Sequence, residues 1–211
     1  MNQTYLLWLQ VALTLTAGAA NAAEWRLEPR RTELVVQLFI DGLASSFGHD
    51  HVIHAVDVTS QLQLDPDVGV GALQMVARTA TLKADEPWLR SKYRLKERLD
   101  ADDIREVERA MKAEDQLDVE HFPTIVFQST TLQKQSENVW FVEGNLTIRG
   151  KTQVVRFVAE VDVRDTRIAA RGQLRFKQSR FGYEPYSSML GALRLKDEVL
   201  MTVEFAATRA P

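Results

Sequence analysis

Alternation of apolar and polar residues in many short segments is the feature that most constrains the fold of this chain. Across residues 33–40 every even-numbered position is Leu, Val or Ile, whereas Glu33 and Gln37 have the other parity. Successive side chains of an extended strand point to opposite faces, so this spacing gives a strand one apolar face. About eight segments show the pattern, and the last of them covers residues 199–207.

Short polar turns separate these segments and indicate how the strands are connected. Asp65-Pro66-Asp67 and Arg149-Gly150-Lys151 are two examples, and their residue types favour tight reversals of the chain. One-sided strands joined in this way are typical of antiparallel barrels and sandwiches. The sequence therefore predicts an all-β fold with antiparallel strands.

One region, residues 87–115, departs from the strand pattern. It is rich in Arg, Lys, Glu, Leu and Ala, and Ile104, Val107 and Met111 recur at helical spacing. Asp100 is placed to cap the N terminus of such a helix. We predict one inserted helical segment here.

The N terminus has the features of a secretory signal. An apolar stretch begins at Leu6, and Ala20-Asn21-Ala22 has the small-x-small form of a cleavage site. An uncleaved membrane anchor is the alternative, but Gln10 and Thr14 interrupt an apolar run that is already too short to span a bilayer. We expect residues 1–22 to be a signal peptide and residues 23–211 to form one secreted domain without stable membrane insertion after cleavage.

Charge balance and missing residue types exclude several classes of function. The chain has 26 Lys and Arg against 29 Asp and Glu, a formal net charge of -3, which argues against a nucleic-acid partner. It has no cysteine, so thiol nucleophiles and cysteine-bound metals are excluded. No nucleophile elbow, zinc-protease motif, P-loop or dinucleotide-binding turn is present. We expect a protein that is not an enzyme and needs no cofactor.

The apolar faces of the strands would line the interior of a barrel. Phe127, Trp140 and Phe157 are bulky, whereas Ala159 and Ala170 are small, so the interior is either hollow along one side or filled by ordinary packing. The hollow alternative predicts an apolar ligand, because no inward position of the later strands is clearly charged. The predicted ligand contacts are Leu34, Val36, Leu38, Ile40, Val56, Met75, Phe127, Trp140, Leu146, Phe157, Phe176 and Met201.

Three of the four histidines, His49, His51 and His54, fall within six residues. On a strand His49 and His51 would point to one side, and His54 could join them across a bulge to bind a divalent metal. The alternative is a turn at the barrel rim whose imidazoles face solvent or bind backbone atoms. The metal-binding hypothesis is the competitor of the apolar-ligand hypothesis.

Three segments of the chain resemble the YceI-like family, in order and over nearly the whole region from Trp25 onwards. These segments are MKAED with HFPTIVFQS in residues 111–129, GNLTIRGKT in residues 144–152, and RFG with KDEV in residues 180–199. One departure concerns the histidine that many members carry soon after the first strand, because residues 42–47 read GLASSF and His49 comes later.

The resemblance implies an eight-stranded antiparallel lipocalin-like barrel and secretion to the bacterial periplasm. It also implies that a polyisoprenoid or similar long-chain lipid binds in the tunnel of the barrel. The partner expected is therefore a small apolar molecule, and assembly into a homodimer is left open.

Overall fold

The computed structural model describes residues 22–43, 48–95, 98–188, 190 and 192–211. The predicted signal peptide falls almost wholly on residues 1–21, which lie outside the described residues, and stays a prediction. The strands are β1 Ala23–Leu27, β2 Glu33–Leu38, β3 Ile40–Asp41, β4 His51–Ala55, β5 Val58–Asp65, β6 Val70–Arg78, β7 Leu82–Ala84, β8 Thr124–Lys134, β9 Val139–Ile148, β10 Lys151–Arg164, β11 Arg167–Lys177, β12 Ser187–Ser188, β13 Leu193–Leu195 and β14 Glu198–Arg209. The α-helices are α1 Pro87–Lys92 and α2 Ala101–Lys112.

The strands close into a barrel in which every pairing is antiparallel. From β5 the order runs through β6, β8, β9, β10, β11 and β14, and β1 closes the ring by pairing with both β14 and β5. β2 continues β1 along the same edge of β14, β4 pairs with β2, and β7 pairs with β4. The predicted eight-stranded antiparallel barrel is confirmed.

Three of the long strands that form the barrel wall are bent, and each bend divides one long strand into two of the numbered strands. Residues 29–31 separate β1 from β2, Val56 and Asp57 separate β4 from β5, and residues 79–81 separate β6 from β7. Inward residues are odd-numbered in β4 and even-numbered in β5, so the bend at Val56 shifts the alternation by one residue.

The predicted helical segment forms two helices in the described residues. Asp100 caps α2, since its carboxylate accepts hydrogen bonds from the backbone N–H groups of Asp102 and Asp103 at 2.8 and 2.9 Å. α1 lies outside the barrel, where Leu89 packs on Val35 and Val52. α2 lies beside β7 at one end of the barrel, and the Ala84 N–H donates to Glu108 of α2.

The small sheet of β3, β13 and β12 lies at the same end of the barrel, directly after β2. We call this end, at which β2 ends and β4 begins, the mouth; the opposite end, at which β9 begins, is the base. None of the described helices has the length and apolar character that crossing a membrane requires.

Candidate ligand-binding cavity

The barrel interior is hollow. Leu34, Val36, Val203 and Phe205 point inward by the alternation of their strands, yet they remain partly exposed and line an internal cavity of about 650 Å³. Other inward residues, such as Trp140, are fully buried. We call this space the lumen, and its lining includes residues of β2, β5, β6, β8, β9, β10, β11 and β14.

Small residues on β10 and β11 help to leave this space. Ala159, Ala170 and Gly172 all line the lumen. A Cβ atom added to Gly172 would lie 2.9 Å from the Phe157 ring, so a side chain at position 172 would collide with that ring. Of the two interiors that the sequence left open, hollow and filled, the structure shows the hollow one.

Most of the predicted ligand contacts line the lumen. Eleven of the twelve do so: Leu34, Val36, Leu38, Ile40, Met75, Phe127, Trp140, Leu146, Phe157, Phe176 and Met201. The interior placement of Val56 is wrong, because β4 ends at Ala55 and the bend turns Val56 outward, where it is 55% exposed. Contact of the other eleven residues with a ligand stays a prediction.

Polar side chains are concentrated at the mouth of the lumen. His49, His51, Ser188 and Arg194 line it there. The lining towards the base, in contrast, is mostly apolar, with Trp140, Val161 and Ile168 among its residues and Arg171 as a polar exception. The cavity thus has one polar end and one mostly apolar end.

A buried ionic cluster lies behind His51. Its Nδ1 atom is 2.7 Å from Oδ2 of Asp85, and the Arg90 guanidinium donates to Oδ1 of the same carboxylate at 2.6 Å. The Val52 N–H also donates to Oδ1, at 3.1 Å, and Arg90 reaches the Asp50 carbonyl. Burial opposes ionisation of Asp85, but the hydrogen bonds from His51, Arg90 and Val52 hold its pKa below the usual value.

The three clustered histidines do not form one metal site. His51 lines the lumen, whereas His54 lies on the outer face of β4, 2.6 Å from Glu86 and edge-on to the ring of Trp88. Residues three apart on a strand point to opposite faces. No group of three or more metal-binding side chains is found in the part of the chain that the structure describes. The geometry therefore removes His54 from the alternative metal site, and metal binding by His49 and His51 stays a hypothesis.

Sequence reasoning missed Asp85, Arg90 and the contribution of α2 to the cavity. α2 lines the lumen with Val107 and Met111, whose helical spacing was visible in the sequence although their inward orientation was not. Asp85 and Arg90 flank a proline at the start of α1, and in sequence such residues read as an ordinary helix start. Only the pairing of β7 with β4 brings Asp85 to His51.

The family model of the YceI-like domain matches residues 25–207. The chain belongs to the YceI-like family. Among solved structures, BcnA of Burkholderia cenocepacia superimposes with a TM-score of 0.65 at 18% identity, covering 86% of this chain and 99% of that one. The YceI protein of Campylobacter jejuni gives a TM-score of 0.59 at 14% identity, covering 75% of this chain and 85% of that one. At these identities the likeness to the YceI-like structures shows the shared fold.

No curated protein sequence matches this YceI-like chain.

Proposed function

We propose that this YceI-like protein is a secreted, non-enzymatic carrier that holds a polyisoprenoid or another long-chain lipid in its lumen. Its place of action would be the periplasm, reached through the signal peptide of residues 1–22. The observation that carries the proposal is the partial exposure of inward apolar residues such as Val36 and Phe205 to an internal cavity. Leaving apolar surface uncovered costs about 25 cal/mol per Å², so a matching apolar molecule would bind there.

The dimensions of the lumen favour an elongated molecule. Its volume of about 650 Å³ lies within the usual range of ligand pockets. Trp140 and Ile148 line it at opposite ends of β9. Ile148 is eight residues after Trp140. At a rise of about 3.3 Å per residue, the two are about 26 Å apart along the strand. With a strand tilt of about 40° this is about 20 Å along the barrel axis, which suits a chain better than a compact ring system.

Native mass spectrometry of gently purified protein tests the proposal directly. We expect the spectrum to show a co-purifying long-chain molecule, and delipidated protein to take up an added isoprenoid alcohol such as geranylgeraniol. Protein that is always empty and takes up none of the added molecule would refute the proposal.

A substitution that fills the lumen tests whether the ligand binds in this cavity. Val203 faces the lumen between Leu34 and Gly172 of the neighbouring strands, and Val203→Trp would occupy the space beside them. We expect its affinity for geranylgeraniol to fall at least about tenfold, because the lost space was part of the apolar contact. Val158→Trp is the matched control, since Val158 is 55% exposed on the outer face of β10. Equal affinity in both variants would place the binding site elsewhere.

A further inference from the structure

The orientation of a bound chain follows from the two ends of the lumen. Burying an unpaired polar group costs free energy, so the polar end of a lipid belongs where partners are available. Those partners are at the mouth, whereas the lining at the base offers mostly apolar surface. His51 stands out among them because its ring both lines the lumen and is held from behind by a buried carboxylate.

The contact with Asp85 determines which nitrogen of His51 carries the proton. Oδ1 of Asp85 accepts hydrogen bonds from the Val52 N–H and from Arg90, and the lowered pKa of this carboxyl keeps it ionised. An ionised carboxylate can only accept, so the hydrogen between it and His51 must reside on Nδ1. A neutral imidazole protonated at Nδ1 has an unprotonated Nε2, which is an acceptor. Nε2 lies on the ring edge away from Nδ1 and thus away from Asp85.

We infer that His51 receives the head group of the bound lipid through Nε2 and selects a head group that donates a hydrogen bond. The ligand class is a long-chain alcohol, whose hydroxyl donates to Nε2 while its hydrocarbon fills the lumen towards Trp140. Ethers, esters and ketones of the same length lack the donor and leave Nε2 unpaired. The inference rests on the proposed carrier function and adds to it the chemistry of the head group.

The size of the preference follows from the loss of one hydrogen bond in a desolvated site. Such a bond contributes about 0.5–1.5 kcal/mol net, which corresponds to roughly a tenfold difference in affinity at its upper end. An unpaired hydroxyl in the lumen carries a desolvation penalty that an ether carries to a smaller degree. Without the histidine the alcohol should therefore bind no better than the ether.

The experiment compares geranylgeraniol with its O-methyl ether by calorimetry, at about pH 8.5, where an imidazole is ordinarily neutral. The wild-type protein should bind the alcohol about tenfold more tightly than the ether. In His51→Phe the ratio should fall to one or below. His54→Phe is the matched control, because His54 is on the same strand and also contacts a carboxylate, but lies outside the barrel. It should keep the tenfold ratio.

The possible results separate this inference from the carrier function. If wild-type protein binds alcohol and ether equally, the head-group assignment is overturned and the carrier function stands. If neither molecule binds, the carrier function fails and the assignment fails with it.

A second measurement needs neither ligand nor variant. Long-range ¹H–¹⁵N correlation spectra of the empty wild-type protein report the tautomer of each histidine. We expect a protonated Nδ1 and an unprotonated Nε2 for His51, and the opposite tautomer would overturn the inference even if His51→Phe failed to fold.

Discussion

Replacing Asp85 by asparagine removes one charge from the buried cluster that joins β7 to β4 and α1. The side chain of Asp85 is completely buried and that of Arg90 is 6% exposed. Asparagine keeps the shape of the side chain, and it tolerates the left-handed backbone of this position, where φ is 53°. The substitution therefore tests the charge rather than the packing or the backbone.

The expected loss of stability follows from leaving Arg90 buried without its counter-ion. Breaking a buried ion pair costs about 3–5 kcal/mol, and the oxygen that asparagine retains argues for the lower end, about 3 kcal/mol. For a domain of this length that corresponds to a fall in Tm of about 6–12 °C. Urea denaturation followed by circular dichroism measures the free energy of unfolding directly.

Asp57→Asn is the matched control for this measurement. Asp57 pairs with Arg78 at 3.1 Å, but the two side chains are 43% and 57% exposed. Exposed pairs contribute about 0–1 kcal/mol, so this variant should be almost as stable as the wild type. A loss in Asp85→Asn no larger than that in Asp57→Asn would refute the reasoning, since it would mean that water screens the Asp85 cluster.

The same cluster predicts a pH dependence. The folded-state pKa of Asp85 is lowered relative to the unfolded chain, because hydrogen bonds from His51, Arg90 and Val52 outweigh the cost of burial. Its contribution to the free energy of unfolding is therefore fully present above the unfolded pKa of about 3.9 and is lost as the pH falls through the folded value. The stability difference between wild type and Asp85→Asn should shrink as the pH falls below about 4.

Three further predictions concern the helix, the barrel wall and a loop. Asp100→Ala removes the cap of α2 and should lower the free energy of unfolding by about 1 kcal/mol in urea titrations; an unchanged midpoint would contradict it. Gly144→Ala should destabilise the barrel by about 1–3 kcal/mol, because the new Cβ would lie 2.6 Å from the Gln128 carbonyl oxygen. Calorimetry measures the Tm, and an unchanged Tm would contradict this prediction. The hydrogen bond with Asp118 raises the pKa of His121 above 6.5, so NMR titration should show a higher value than in Asp118→Asn, and equal values would exclude that cause.

The barrel was predictable because its strands repeat one simple pattern. Alternation along β2, β9 and β14 placed residues such as Leu34, Trp140 and Met201 on the inner wall, where the structure has them. Pattern alone could not tell a hollow barrel from a filled one. The difference depends on how much space Ala170 and Gly172 leave beside Phe157, which is a property of packing across strands.

The mouth was less predictable because it depends on departures from the pattern. Extending the alternation of β5 back to Val56 placed that residue inside the barrel, and the bend after Ala55 breaks that continuity. The partner of His51 is distant in sequence, since it meets Asp85 only through the pairing of β7 with β4. Local spacing contains no information about such a contact.

The position of α2 would make the local stability of this helix depend on whether the lumen is filled. No residue of α2 is fully buried, and its apolar residues Val107, Ala110 and Met111 face the lumen. A helix of this length is marginal in water and depends on tertiary contacts for its stability. When a chain fills the lumen, it supplies part of those contacts, so the free energy needed to open α2 locally rises with occupancy. Amide hydrogen exchange within α2 would then slow as the barrel is loaded and recover as it is emptied.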